Sequence, residues 1–343
     1  MVDGLDIAKV GAWLEANVDG AVGPFTAELI GGGRSNLTYA VTGADGGRIV
    51  VRRPPLGHVL ATAHDMGREH RIIAALGPTP VPVPEALGLC TDEAVNGAPF
   101  YVMEFVDGEV LDSPEKGRQL DPALRMTASH HLIDVLADLH AVDIDDVGLG
   151  DLARRHGYIE RQLKRWTTQW ANSKTRELPA IDEVADRLAA RVPPEHEVVV
   201  AHGDYRLGNC LTDVTTGRIA AVLDWELCTL GDPLADVGYL AIYWTDPGSS
   251  GRRLNDPSGA PGFPPYSDLL ERYSARTGRD VSSIDFYVAF ASWRLAVISE
   301  GVYARYLHGA MGARGIGTDE LAGIKHGTDQ LAAAALEAAH RLK

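Results

Sequence analysis

His202-Gly203-Asp204-Tyr205-Arg206-Leu207-Gly208-Asn209 and, after two short apolar runs, Leu223-Asp224-Trp225-Glu226 place an aspartate, an asparagine and a second aspartate in a defined order along the chain. Phosphoryl transfer needs these residue types. A carboxylate orients the attacking hydroxyl and accepts its proton, and oxygen ligands hold Mg²⁺ on the phosphates of a nucleotide. Asp204 fits the base, and Asn209 and Asp224 fit the metal. Arg206, two residues past the base, is placed to neutralise charge on the transferring phosphoryl group, with a solvent-exposed role as the alternative. Short β-like runs at 198–201, 211–213 and 219–223 flank these residues, so the segment predicts reactive loops carried on strand ends. His202 reads as a hydrogen-bonded loop residue. Asp232, followed by Pro233, reads as a helix cap, and Asp236 as structural.

Working outward, the first third of the chain alternates as strands do. Runs at 25–30, 37–42 and 48–53, the last two joined by Gly43-Ala44-Asp45-Gly46-Gly47, predict an antiparallel sheet. A helical stretch over 64–76 interrupts it, the Pro-rich segment 78–84 ends that helix, and further strands follow at 86–90 and 99–105. An amphipathic entry helix over 7–18, with Ile7, Val10, Leu14 and Val18 on one face, packs outside this sheet. Beyond Asp107-Gly108 the pattern turns helical, at 123–141, 158–170, 181–190, 266–308 and the Ala-rich 321–343. The fold class is α+β, with 1–106 as a nucleotide-phosphate unit and 107–343 carrying the catalytic loop, metal ligands and acceptor site. The Gly/Pro/Ser/Asp-rich stretch 245–265 predicts a long mobile loop.

Gly31-Gly32-Gly33-Arg34-Ser35-Asn36 approaches the G-x-G-x-x-G pattern, but a β-like run follows it rather than a helix. That context predicts a hairpin over phosphates, with Gly32, Gly33, Ser35 and Asn36 as contacts, against the alternative of an ordinary tight turn. None of the six lysines follows a glycine, which excludes a Walker loop. Where a lysine on the third strand would grip the α and β phosphates, Ile49-Val50-Val51-Arg52 offers an arginine. Glu69, in the following helix, is its expected partner. An exposed ion pair of little energetic weight is the alternative for these two residues.

Composition narrows the function classes. A net charge of −15 without a basic stripe argues against nucleic acid as a partner. Three cysteines without metal-ligand spacing (Cys90, Cys210, Cys228) argue against a disulfide framework or a zinc site. No apolar run reaches the roughly 18 residues of a membrane span, so no membrane association is expected and the cytoplasm is the expected location.

On these motifs the chain resembles the aminoglycoside phosphotransferase and choline kinase family, whose fold is bilobal and protein-kinase-like. Three stretches (31–39, Arg52-Arg53-Pro54-Pro55 and Arg161-Gln162-Leu163-Lys164-Arg165-Trp166) are similar to the branch that also occurs fused to acyl-CoA dehydrogenases. The resemblance implies a small antiparallel N-lobe sheet with one helix, a larger helical C-lobe, and ATP and Mg²⁺ as cofactors. It also implies Asp204 as base, Asn209 and Asp224 as metal ligands, Arg52 in the lysine's place, and Tyr101-Val102-Met103-Glu104-Phe105 as the hinge near adenine, with Glu104 and Phe105 as contacts. Gly203 stands where protein kinases carry an arginine, and few residues separate Asp224 from Gly231-Asp232-Pro233. There is no room for an activation loop, so a small-molecule hydroxyl is the expected acceptor, walled by C-lobe helices that include Phe290-Ala291-Ser292-Trp293-Arg294. Aminoglycosides, choline-like amines, sugars and hydroxyacyl thioesters are all compatible, and the fusion habit favours the last. Oligomeric state is left open. Two rival functions stand: a catalytically silent nucleotide-binding module, because of Arg52, and a metal-dependent phosphoester hydrolase built on His202, Asp204, Asp224 and Asp236.

Overall fold

A computed structural model describes residues 2–31, 36–56, 65–247, 256–308 and 317–342. In chain order the first part runs α1 (Ile7–Asn17), β1 (Thr26–Gly31), β2 (Leu37–Thr42), β3 (Arg48–Arg53), α2 (Met66–Leu76), β4 (Ala86–Cys90), α3 (Glu93–Asn96) and β5 (Phe100–Glu104). The strands form one antiparallel sheet in the order β1-β2-β3-β5-β4. Strand alternation sorts its side chains. Tyr39, Val41, Val51, Phe100 and Val102 turn to the face covered by Val10 and Leu14 of α1. Val50, Tyr101 and Met103 turn to the opposite face, where Met66, Ile73 and Leu76 of α2 pack. Arg52 shares that second face with Val50. Its cross-strand partners are Thr38 and Tyr101, which places a cation at the edge of an apolar layer. Asp65 caps α2 by accepting from Arg68 N, which sets Glu69 in the first turn facing the sheet.

The larger part continues with α4 (Pro114–Gln119), α5 (Pro122–Leu139), α6 (Tyr158–Ser173), α7 (Pro179–Ala189), β6 (Val199–Ala201), β7 (Cys210–Thr212), β8 (Ile219–Val222), β9 (Thr229–Gly231), α8 (Pro233–Ile242), α9 (Tyr266–Thr277), α10 (Ile284–Leu307) and α11 (Thr318–His340). Two short ribbons, β6-β9 and β7-β8, lie inside this helical region and carry the 202–209 and 223–226 motifs. Every residue of α8 is buried. Gly238 brings α8 against α10 so closely that a Cβ there would sit 2.6 Å from the Tyr287 main chain. The architecture is the expected bilobal α+β arrangement, with α3, α4 and β9 as short additions that the sequence pattern did not reveal.

One expectation fails. The stretch 245–265 was expected to be mobile and too polar to pack, but its described second part is built into the core. Asp256 caps a short 3₁₀ turn and accepts from Ser258 Oγ at 2.7 Å, and Thr245 N donates to Ser258 Oγ at 2.7 Å. Trp244 Nε1 donates to the Pro264 carbonyl, and Ala260 and Phe263 are buried. Local side-chain bonds satisfy the polar groups and free the apolar ones to pack. Residues 248–255 lie outside the described residues. No helix among the described residues is long and apolar enough to cross a membrane.

Candidate active site

The loop after β6 is tied down from three directions. Asp236 of α8 is buried. Its Oδ2 accepts from His202 N at 2.7 Å and its Oδ1 from Gly203 N at 2.8 Å. His140 Nε2 donates to the same carboxylate at 3.3 Å, and its Nδ1 bonds the Tyr273 hydroxyl. Burial acts to raise the Asp236 pKa, but the hydrogen bonds from His140 and Gly203 outweigh it and hold the carboxyl below its usual range. His202 Nε2 donates to the Leu223 carbonyl, which leaves Nδ1 to accept from Asp204 N. The histidine ring thus couples the 202–209 loop to the 223–225 loop, and its place is structural, as expected. Gly203 has φ +84°, and a Cβ there would lie 2.7 Å from the Leu227 carbonyl, so only glycine fits the turn into Asp204. Asp232 caps α8 and also accepts from the Tyr287 hydroxyl, in agreement with a structural role.

These constraints bring the motif residues together. Asn209 Nδ2 donates to both the main-chain oxygen and Oδ2 of Asp204, each at 2.7 Å, which turns the Asn209 carbonyl oxygen away from Asp204. Asp204 Oδ1 faces Arg206 Nε at 3.5 Å without a hydrogen bond between them. Asp224 is the one non-glycine residue with positive φ among the described residues, at +66°. A left-handed aspartate costs on the order of 1 kcal/mol, and such strain clusters at sites that need it.

Arg52 reaches this centre from the sheet. Its Nη2 lies 2.5 Å from Asp224 Oδ1 and its Nε 3.1 Å from Glu69 Oε2. Glu69 also accepts from Asn36 Nδ2 at 2.7 Å and Tyr101 O–H at 3.1 Å. With its side chains 12% and 3% exposed, the Arg52–Glu69 pair is largely out of solvent, which rules out the reading as a weak exposed ion pair. Burial pushes the Glu69 carboxyl up, with Arg52 pulling it down. For Arg52 the carboxylates and Tyr101 outweigh burial and hold the guanidinium charged. Gly32, Gly33 and Ser35 lie outside the described residues. Glu104, at the end of β5, is exposed and accepts from Glu85 N, while the Phe105 ring carries the Arg48 guanidinium 3.5 Å from its centre.

Two cavities meet at this loop. One of about 520 Å³ lies between the sheet and the 208–225 region, lined among others by Val50, Arg52, Met103, Phe105, Asn209 and Asp224. The second, of about 800 Å³, opens on the other side of Arg206 against Tyr243, Val288, Ser292, Leu331 and Ala334. Asp112 borders both. Trp293 is fully buried and donates its Nε1 to the Ile181 carbonyl, so it packs in the core and offers no face to an acceptor. A helix of period 3.6 turns Val288 and Ser292 to the cavity and Trp293 to the core.

A model of the phosphotransferase enzyme family matches residues 26–273, which include Arg52, Glu69, Asp204, Arg206, Asn209 and Asp224. The chain belongs to that family. Among its relatives, acyl-CoA dehydrogenase family member 10 of Mus musculus is 35% identical over 294 residues, covering 84% of this chain and 27% of the relative. The chain spans only about a third of the length of the curated relatives it matches, between 27% and 37%. A candidate aminoglycoside phosphotransferase from Ralstonia eutropha, 34% identical, superposes with a TM-score of 0.83 over 98% of this chain and 99% of that one. An aminoglycoside phosphotransferase crystallised with AMP-PNP and hygromycin B, at 16% identity and a TM-score of 0.58 over 95% and 98% of the two chains, shares the fold of this phosphotransferase-family chain.

Proposed function

We propose that the protein is an ATP- and Mg²⁺-dependent phosphotransferase that moves the γ-phosphoryl group to a hydroxyl of a small molecule. The observation that carries this reading is the Asp204 carboxylate. One oxygen is held by Asn209, and the other faces Arg206 without a hydrogen bond, with Asn209 lining the smaller cavity and Arg206 the larger. In this reading the smaller cavity takes the nucleotide, with Arg52, Glu104 and Phe105 lining it and Glu69 and Asn36 supporting Arg52, and residues 1–106 form the nucleotide lobe. The larger cavity takes the acceptor. Asp204 Oδ1 accepts the hydroxyl proton, the acceptor oxygen bonds to the γ-phosphorus, and the bond from that phosphorus to the departing ADP oxygen breaks. Arg206 offsets charge on the phosphoryl group in flight. Asn209 and Asp224 form an all-oxygen donor pair, which suits a hard divalent cation. When bound there, Mg²⁺ neutralises charge on the nucleotide phosphates. The family's match and a fold relative holding AMP-PNP with an aminoglycoside support the assignment. Three buried free cysteines accord with the cytoplasm as the place of action.

The test is an acceptor panel of aminoglycosides, amino alcohols, sugars and hydroxyacyl thioesters, incubated with Mg·ATP and followed by mass spectrometry. We expect phosphorylated product from one of these classes. A protein that binds Mg·ATP yet phosphorylates none of them favours the silent-module reading, which the arginine at position 52 motivates. Turnover that appears only in Arg52→Lys would establish that second reading.

A further inference from the structure

Arg294 is a cation in the wrong place for a structural residue. It lies on α10 at 8% exposure, yet no ion pair to a carboxylate forms among the described residues, and its Nε has no hydrogen-bond partner. Its Nη2 donates to the Gly203 carbonyl at 2.9 Å. A buried, uncompensated charge is costly and persists where the surroundings use it. The surroundings form a ring. The Arg294 guanidinium sits 4.8 Å over the face of Tyr239, and the Tyr239 hydroxyl lies 3.3 Å from that of Tyr243 one helical turn later. The Tyr243 face carries the Arg206 guanidinium at 4.9 Å, and Arg206 faces Asp204. The chain of contacts leaves the loop at Gly203 and returns to it at Asp204.

Two guanidiniums and one carboxylate give this ring a net positive charge. The phenols do not cancel it, because burial, and next the Asp204 charge, push both tyrosines up and keep them protonated. Eight buried side-chain atoms lack a hydrogen bond among the described residues. Three of them (Asp204 Oδ1, Arg206 Nε and Arg294 Nε) belong to this one ring; the first two face each other at 3.5 Å, and Arg294 Nε lacks even an ion-pair partner among the described residues.

We propose that Arg294, Tyr239 and Tyr243 are positioning residues that hold Arg206 and the Gly203–Asp204 peptide in the geometry of the transferring phosphoryl group, so that they act on the transition state and not on nucleotide binding. The cation–π contacts fix the Arg206 plane from the acceptor side, and Arg294 fixes the carbonyl that precedes the base. This rests on the phosphotransferase reading above.

Calorimetric titration with Mg·ADP, in the absence and presence of aluminium fluoride as a stand-in for the transferring phosphoryl group, separates the two effects. The wild type is expected to bind Mg·ADP more tightly with aluminium fluoride. Arg294→Gln and Tyr243→Leu are expected to lose about 10- to 100-fold of that gain, the scale of a misplaced catalytic group, while their affinity for Mg·ADP alone stays within about two-fold. Tyr243→Phe keeps the ring face and is expected to retain most of the gain. Unaltered Mg·ADP affinity is the internal control for folding. A role in stability alone would weaken both titrations together, and that result overturns the proposal. Equal gains in wild type and variants overturn it as well, as does a wild type indifferent to aluminium fluoride. A wild type that fails to bind Mg·ADP at all removes the phosphotransferase reading, and this inference with it.

Discussion

Asp204→Ala is expected to lower phosphoryl transfer by about 10²- to 10⁴-fold, the contribution of a positioned general base. The fall should appear in kcat with little change in nucleotide affinity. The reason lies in how the loop is held. Asn209 bonds both the main chain and the side chain of Asp204, so the variant keeps the main-chain bond. The anchors through His202, Gly203 and Asp236 do not pass through the Asp204 carboxylate at all. The loop therefore stays in place while the proton acceptor is lost. A variant that retained about a tenth or more of the wild-type rate, below the smallest effect of a positioned base, would remove Asp204 from the mechanism.

Asp236→Ala should produce the largest loss of stability. The substitution leaves the N–H groups of His202 and Gly203 and the Nε2–H of His140 buried without an acceptor. Each such group costs about 1–3 kcal/mol when left buried without a partner. Because these terms overlap, the expected destabilisation is about 3–5 kcal/mol, read from the midpoint of a urea transition. Against a typical total of about 5–15 kcal/mol this leaves little reserve. The pH dependence has a definite sign. The folded Asp236 carboxyl is held below its unfolded value, so its contribution is complete above about pH 4 and is lost as pH falls through the folded value. The wild type should lose stability on acidification over that window, and Asp236→Ala should lose less of what remains. Parallel acid limbs for the two proteins would show that another carboxyl governs the transition.

The parts of the molecule governed by short-range pattern were legible in the sequence. β2 and β3 have the bounds that their alternation predicts, and the pairing of Arg52 with Glu69 follows from a strand register and one helix turn. Contacts between distant segments were not legible. That Arg52 also binds Asp224 joins positions 172 residues apart, and no local signal carries it. Nor does the sequence show that Asp224 adopts a left-handed backbone. Asp236 did offer a signal, an acidic residue within a ten-residue helix that is otherwise almost wholly apolar, which is the mark of a buried charge with dedicated partners. The error at 245–265 came from judging polarity by composition. Asp256 and Ser258 bond to each other and to nearby backbone, so they are buried at little cost. Aromatic character alone does not tell which helix face meets a cavity, and Trp293 turns to the core.

If Asn209 and Asp224 hold Mg²⁺, nucleotide binding depends on the metal through them. Calorimetric titration of AMP-PNP into the wild type and Asp224→Ala, with Mg²⁺ and with chelator, measures it. The wild type is expected to bind with an affinity that Mg²⁺ strengthens, and Asp224→Ala to bind with an affinity that no longer responds to Mg²⁺. A wild type that binds no nucleotide under either condition, or an Asp224→Ala protein with an undiminished response to Mg²⁺, contradicts that assignment.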